Sequence, residues 1–312
     1  MPESQELKEA INFIKSGESK KARPLLLKLF ASKNLGIKMY AGMNLINILD
    51  RTTENKKLIY VTNETINVAS NIGQHDIKIC LLARKAEFLF QDLSLLTYRL
   101  KNLKLAANVF RWIDFSLEKD KQEYEASIIK KEKLEKEISS LEADVLASIS
   151  LISDKSMRGH IFMSLGEISF TRFLYYKQDL VIASPWRSKI MNIYFVKRWN
   201  LDRLIGFNKN ARKKLRTSYK ICINYFRKSI KEYETNNDET NLALAFYNLA
   251  TKFTLTYHFS KAYRYLIQAK RLAEKNNERF LFPQIYELEK RIKDKYKHPR
   301  NYVEELGPDL PR

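Results

Sequence analysis

The chain has 312 residues, a formal net charge of +20 and 45% apolar residues, with eight glycines and seven prolines. Ordinary apolar content argues against a disordered chain, and scarce glycine and proline, with no alternating run between paired turn residues, argue against a β-rich one. No apolar run reaches the ~18 residues of a membrane-spanning helix and residues 1–9 are polar, so a soluble cytoplasmic protein without integral membrane association is expected.

Residues 6–16 read as a first helix, with Leu7, Ala10, Ile11, Phe13 and Ile14 on its apolar side and Gly17 at its end. Ser19 stands where a cap for the second helix is needed. That helix carries Ala22, Leu26 and Leu29 at offsets 0, 4 and 7, and Pro24 points to a late start or a slight bend. Residues 35–49 and 57–72 form the next pair, the second rich in β-branched side chains (Val61, Ile66, Val68) and closed by Gly73. Helices over 76–90, with Leu82, Ala83 and Ala86, and over 98–117, with Ala106, Phe110 and Trp112, complete an N-terminal set of helical pairs over 1–117.

Residues 118–152 change character. Lys and Glu alternate densely over 118–137, while Leu134, Ile138, Leu141 and Val145 recur at heptad spacing. One helix over 117–152 would be roughly 54 Å long. Two regular heptads fit an extended helical arm with a solvated charged face, or a coiled-coil zipper between chains. A C-terminal set over 153–298 follows. Residues 157–176 place Phe162, Leu165, Gly166 and Ser169 at the relative positions of Phe246, Leu249, Ala250 and Phe253. Their partner helix, with Cys222, Phe226 and Ser229, lies far downstream, so an insertion near 180–212 is expected. It holds Pro185, a short helix over 187–199 and a loop with Gly206, Asn208 and Asn210. Residues 280–297 look like a capping helix through Leu281, Ile285, Leu288 and Ile292, and 299–312 like a mobile tail.

The sharpest pattern lies over 243–277. Phe246, Leu249, Ala250 and Phe253 line one helix face, and Ala262, Leu266 and Ala269 line the next, across a turn of Tyr257, His258, Phe259 and Ser260. A small residue in each helix lets two antiparallel helices approach closely while larger side chains fill the seam. This segment resembles one tetratricopeptide repeat, and the resemblance extends partially to 157–178 joined with 219–233. Tyr257 stands where that family usually has Gly, and Glu274 where it often has Pro. The interval from Cys222 to Ala262 is 40 residues against the family's usual ~34. The resemblance implies an all-α solenoid of antiparallel helix pairs, a right-handed superhelix whose concave face holds a peptide. Its groove positions would be Leu244, Tyr247, Asn248, Thr251 and Thr254. The carboxylate clamp of some relatives is not carried over, because Thr251 replaces the second Asn and no matching Lys is evident.

Residues 187–231 hold fourteen bases and one acid, Asp202, and so carry +13 of the net +20. Arg212, Lys213, Lys214, Arg216, Lys220, Arg227 and Lys228 are its densest part, with Trp186, Tyr194, Trp199, Tyr219 and Tyr225 in or beside it. Lys and Arg can neutralise phosphates while aromatics stack on unpaired bases. Equally, Trp199, Tyr225 and Phe226 can be core while the bases project from a solvated side. An anionic membrane surface is a third reading. Lys189, Lys197 and Arg198 do not segregate from Ile190, Ile193 and Val196, which argues against it.

Catalytic patterns are missing. His75, His160, His258 and His298 have no second ligand at metal spacing, and no phosphate-cradling loop or nucleophile elbow occurs. Arg158 and His160 are too close in sequence for the paired residues of helical ribonucleases. Cys80 and Cys222, in separate apolar helical patterns, suit buried thiols in a reducing compartment. The sequence therefore points to a non-catalytic adaptor or scaffold without cofactor or metal, holding an acidic protein or peptide. A nucleic acid bound through 187–231 is the alternative.

Overall fold

The computed structural model describes residues 4–49, 53–109, 117–182 and 201–297, with backbone alone over most of 101–123, 177–182 and 201–212. Phe110, Trp112, Pro185, the short helix expected over 187–199 and the expected tail therefore lie outside the described residues. Eleven α-helices and two 3-10 turns, and no strand, are present among the described residues. In chain order the helices are α1 (Gln5–Lys15), α2 (Ser19–Phe30), α3 (Leu35–Ile48), α4 (Asn55–Asn71) and α5 (His75–Val109). They continue as α6 (Leu117–Ser148), α7 (Lys155–Ile182), α8 (Leu201–Thr235), α9 (Glu239–Leu255), α10 (Phe259–Lys275) and α11 (Phe282–Lys297). The 3-10 turns are Ile149–Leu151 and Arg279–Leu281.

Three expectations about boundaries are corrected. The helices expected over 76–90 and 98–117 are a single helix through Val109, because residues 91–97 contain neither Gly nor Pro to stop it. The loop expected at Gly206, Asn208 and Asn210 is the first part of α8, so part of the insertion is a lengthened helix. α2 begins at Ser19 with no side-chain cap and runs on through Pro24, without the late start that Pro24 suggested. Caps do occur where a polar residue precedes a helix. Asn34 accepts from the Ile37 amide at 3.2 Å, Asp154 from the Met157 amide at 3.1 Å and Asp238 from the Asn241 amide at 3.2 Å.

One turn recurs five times. Gly17, Gly73, Asn237, Tyr257 and Asn277 all have positive φ. In each case the following amide donates to the carbonyl five residues back: Glu18 to Phe13 at 2.7 Å, Gln74 to Ala69 at 2.8 Å and Asp238 to Tyr233 at 3.0 Å. His258 donates to Phe253 at 2.8 Å and Glu278 to Ala273 at 2.9 Å. This is the Schellman closure, which satisfies helix-end carbonyls through one left-handed residue. α9 and α10 are each 17 residues long, and with a three-residue turn each makes a 20-residue unit. Two such units account for the 40-residue interval between Cys222 and Ala262.

Helices pack on their neighbours in order: α1 on α2, α2 on α3, α3 on α4, α4 on α5, α5 on both α6 and α7, then α7 on α8 and onward to α11. Phe246, Leu249, Ala250, Phe253, Ala262, Leu266 and Ala269 are all buried in one C-terminal cluster shared by α7 to α11. α7 and α8 run antiparallel, with Gly159 facing Tyr233, Gly166 facing Phe226 and Phe173 tilted against Tyr219. Ile138, Leu141 and Val145 of the heptad stripe are buried with α5 and α7, and Leu134 packs against the same cluster. Lys85 reaches Glu137 at 2.9 Å, and Arg172 pairs with Glu142. The stripe is thus buried within the chain and is not left open for a second copy.

Candidate docking surface on α8

α8 divides cleanly by period. Leu215, Cys222, Phe226, Ser229 and Tyr233, at offsets 0, 7, 11, 14 and 18, are buried against α7. Lys213, Arg216, Lys220, Arg227 and Lys231, at the same kind of spacing two residues out of phase, are exposed. Two residues are about 200° of helical rotation, so the second set lies opposite the first. Lys214 and Lys228 flank it, also exposed. From Lys213 to Lys231 the ridge is about 27 Å long. It contains no acid.

Two of these bases lean on rings of α7 and α8. Lys214 lies 5.8 Å from the Tyr176 ring, and Lys228 lies 5.3 Å from Phe162 and 5.9 Å from Tyr225. Lys213, Arg216, Lys220, Arg227 and Lys231 have no carboxylate within ion-pair distance among the described residues. The Arg212 side chain is outside the described set, although its backbone belongs to α8. Five like charges along one ridge repel one another in the free protein, and an acidic partner would relieve that repulsion.

The described aromatics, Tyr219 and Tyr225, do not join this face, while Trp186, Tyr194 and Trp199 lie outside the described residues. Tyr219 lies tilted against Phe173 at 5.4 Å and stacks on His258 at 6.1 Å, and its hydroxyl meets Thr256 Oγ1 at 3.2 Å. Tyr225 stacks on Phe162 at 6.1 Å. Burial raises both phenols above their ordinary pKa. Of the two open readings of 187–231, the described part has its rings in the packing and its bases in solvent. The buried set at 215, 222, 226, 229 and 233 was the signal that could have separated them beforehand.

The positions that the resemblance assigns to a groove lie on α9. Leu244 and Tyr247 are half-buried and pack against the C-terminal cluster. Asn248 donates to Met163 Sδ at 3.6 Å, and Thr251 donates to the Tyr247 carbonyl. Thr254 is buried, its hydroxyl on the Ala250 carbonyl. Nearby, Lys252 pairs with Glu167 of α7 at 2.7 Å.

A second polar cluster sits where α5, α7 and α8 meet. Arg84 pairs with Glu87 at 2.9 Å, and His160 stands edge-on to Tyr233 with ring centroids 5.5 Å apart. Burial, then the Arg84 charge, pushes His160 down to about 4, against weaker opposition from Asp238 and Asp154. Burial pushes the Cys80 thiol up to about 11 and Cys222 up to about 12, so neither is a thiolate nucleophile near neutrality. Both cysteines are free and buried. His160 is neutral in the folded chain, whereas the unfolded chain protonates it below about 6.5. Stability supplied by keeping it neutral is therefore complete above pH 6.5 and is lost as pH falls toward 4, by about 3 kcal/mol in all. His160→Phe should flatten the pH dependence of chemical denaturation across that window, a difference read against the parent chain.

Among the described residues no group of three or more His, Cys, Asp or Glu is placed to hold a metal ion. No described helix is long and apolar enough to cross a membrane. No protein-family model matches the chain, and no curated protein matches it.

Proposed function

We propose that this chain is a non-catalytic, tetratricopeptide-like scaffold that docks an acidic protein segment along the outer face of α8. The observation that carries the reading is the ridge of exposed bases from Lys213 to Lys231, a stretch that contains no acid, with Glu232 and Glu234 confined to the last turn of the helix. The repeat-like architecture is supported by the five matching turns, the 20-residue unit and the small-against-large seams at Gly166 and Ala250. Two buried free thiols suit a reducing, cytoplasmic setting.

A polypeptide partner is favoured over a nucleic acid for two reasons. Tyr219 and Tyr225 are committed to packing, so among the described residues the ridge offers no ring on which bases could stack. Ile221, 41% exposed, lies among the bases and offers an apolar contact that phosphate backbones would not use. The concave-groove mode has less support, since Thr254 is buried and the Asn248 amide is already engaged.

Fluorescence anisotropy with a labelled glutamate-rich peptide, and with an oligonucleotide of similar charge, tests the reading. The chain carrying Lys213→Glu, Arg216→Glu, Lys220→Glu and Arg227→Glu should bind the peptide at least ~100-fold more weakly while keeping its melting temperature, because all four side chains are exposed. Unchanged peptide affinity would remove the ridge from the account. Tighter binding of the oligonucleotide, falling steeply with salt, would move the assignment to nucleic acid.

A further inference from the structure

Packing among the described residues joins helices adjacent or next but one in the chain, except for one small contact in which α1 meets the 3-10 turn Arg279–Leu281. The contact is made at the end of α1, where a Cβ on Gly17 would lie 3.9 Å from the Phe280 Cα. Ile11, Phe13 and Ile14 of α1 are half-buried against the N-terminal cluster, and Phe280 and Phe282 against the C-terminal one.

We infer that this contact is a clasp closing the chain of helices into a ring. Each helix pair keeps its own neighbours whether or not the clasp is made, so its opening unfolds no pair. What changes is shape. Small rotations between successive pairs accumulate along the chain, and only the contact between its first and last turns holds their sum at one value. The closed and open forms are two states of similar internal packing, and a partner touching α1 or residues 279–281 would shift the population between them.

The five equivalent turns supply a matched control. Gly17 has φ +82° beside Phe280, while Gly73 has φ +70° in the same closure with nothing within 4 Å. Tyr257 occupies the corresponding position of its own turn at φ 62°, so this protein already accommodates a tyrosine there. Gly17→Tyr and Gly73→Tyr therefore carry a similar backbone cost, and only the first places a side chain beside Phe280.

The test is the distance between spin labels on the full chain carrying Lys20→Cys and Gln284→Cys, both positions being exposed and the native Cys80 and Cys222 buried. The expected result is one narrow, short distance population in this parent, retained in Gly73→Tyr and replaced in Gly17→Tyr by a longer, broader one. A broad population in the parent, an unchanged one in Gly17→Tyr, or an equal shift in both glycine variants would each overturn the clasp. Should Gly17→Tyr fail to fold, Phe280→Ala replaces it: a longer distance supports the clasp, and an unchanged one overturns it.

Discussion

Phe226→Ala is expected to destabilise the chain by about 3–5 kcal/mol, read as a loss of unfolding free energy in chemical denaturation. Phe226 is fully buried between α7 and α9, within the C-terminal cluster that joins α7 to α11. Its ring lies where the side chain of any residue but glycine at 166 would have to go, since a Cβ there would come within 2.9 Å of it. Removing the ring leaves a cavity that the rigid α7 and α8 backbones cannot collapse into, because α9 packs on α8 as well. The converse substitution tests the same seam. Gly166→Ala should cost about 1–3 kcal/mol by overpacking. Combined with Phe226→Leu it should cost less than the sum of the two single changes, since the smaller side chain yields the space the methyl needs. Full additivity would mean that Gly166 and Phe226 are not coupled.

The second large effect concerns a buried charge. Lys252 is 8% exposed, donates to Glu167 at 2.7 Å, and lies 4.8 Å from the Phe170 ring and 5.8 Å from that of Phe226. Lys252→Met keeps the stem and removes the charge, leaving the mostly buried Glu167 without its cation. The expected loss is about 3 kcal/mol at neutral pH. Glu167→Gln added to Lys252→Met removes the uncompensated charge and should recover most of that loss, because a neutral amide against a thioether carries far less desolvation cost. Two outcomes are thereby separated. If the double variant is no better than the single one, the cost lies in packing against Phe170 and Phe226; recovery places it in the ion pair.

The pairing also explains why α9 reads poorly as an open ligand face. Lys252, Asn248 and Thr254 direct their polar atoms to Glu167, Met163 and the helix's own backbone, so three polar residues in one helix satisfy one another's neighbours. On α8 the opposite holds, and Lys213, Arg216, Lys220, Arg227 and Lys231 have no carboxylate within ion-pair distance among the described residues.

Periodicity in the sequence was enough to read the described chain as helical, to place helix ends at Gly17 and Gly73, and to put Phe246, Ala250, Ala262 and Leu266 on apolar faces, all four of which are buried in one cluster. These are local properties, set by which residues recur every three or four positions and by which residue tolerates a left-handed turn. Asn237 and Asn277 are residues that take the left-handed turn readily, whereas Tyr257 was not legible as a member of the same set because a bulky side chain rarely adopts that conformation. The continuity of α5 through residues 91–97 was missed because a helix buried on several sides has little amphipathic pattern to follow. The period of 215, 222, 226, 229 and 233 already places the bases opposite the buried line, and tertiary structure added which rings Tyr219 and Tyr225 meet, Phe173 and Phe162 of α7. The contact of Gly17 with Phe280 belongs wholly to that level as well: it joins turns at opposite ends of the chain and depends on the summed rotation of every pair between them, which no single stretch of sequence contains.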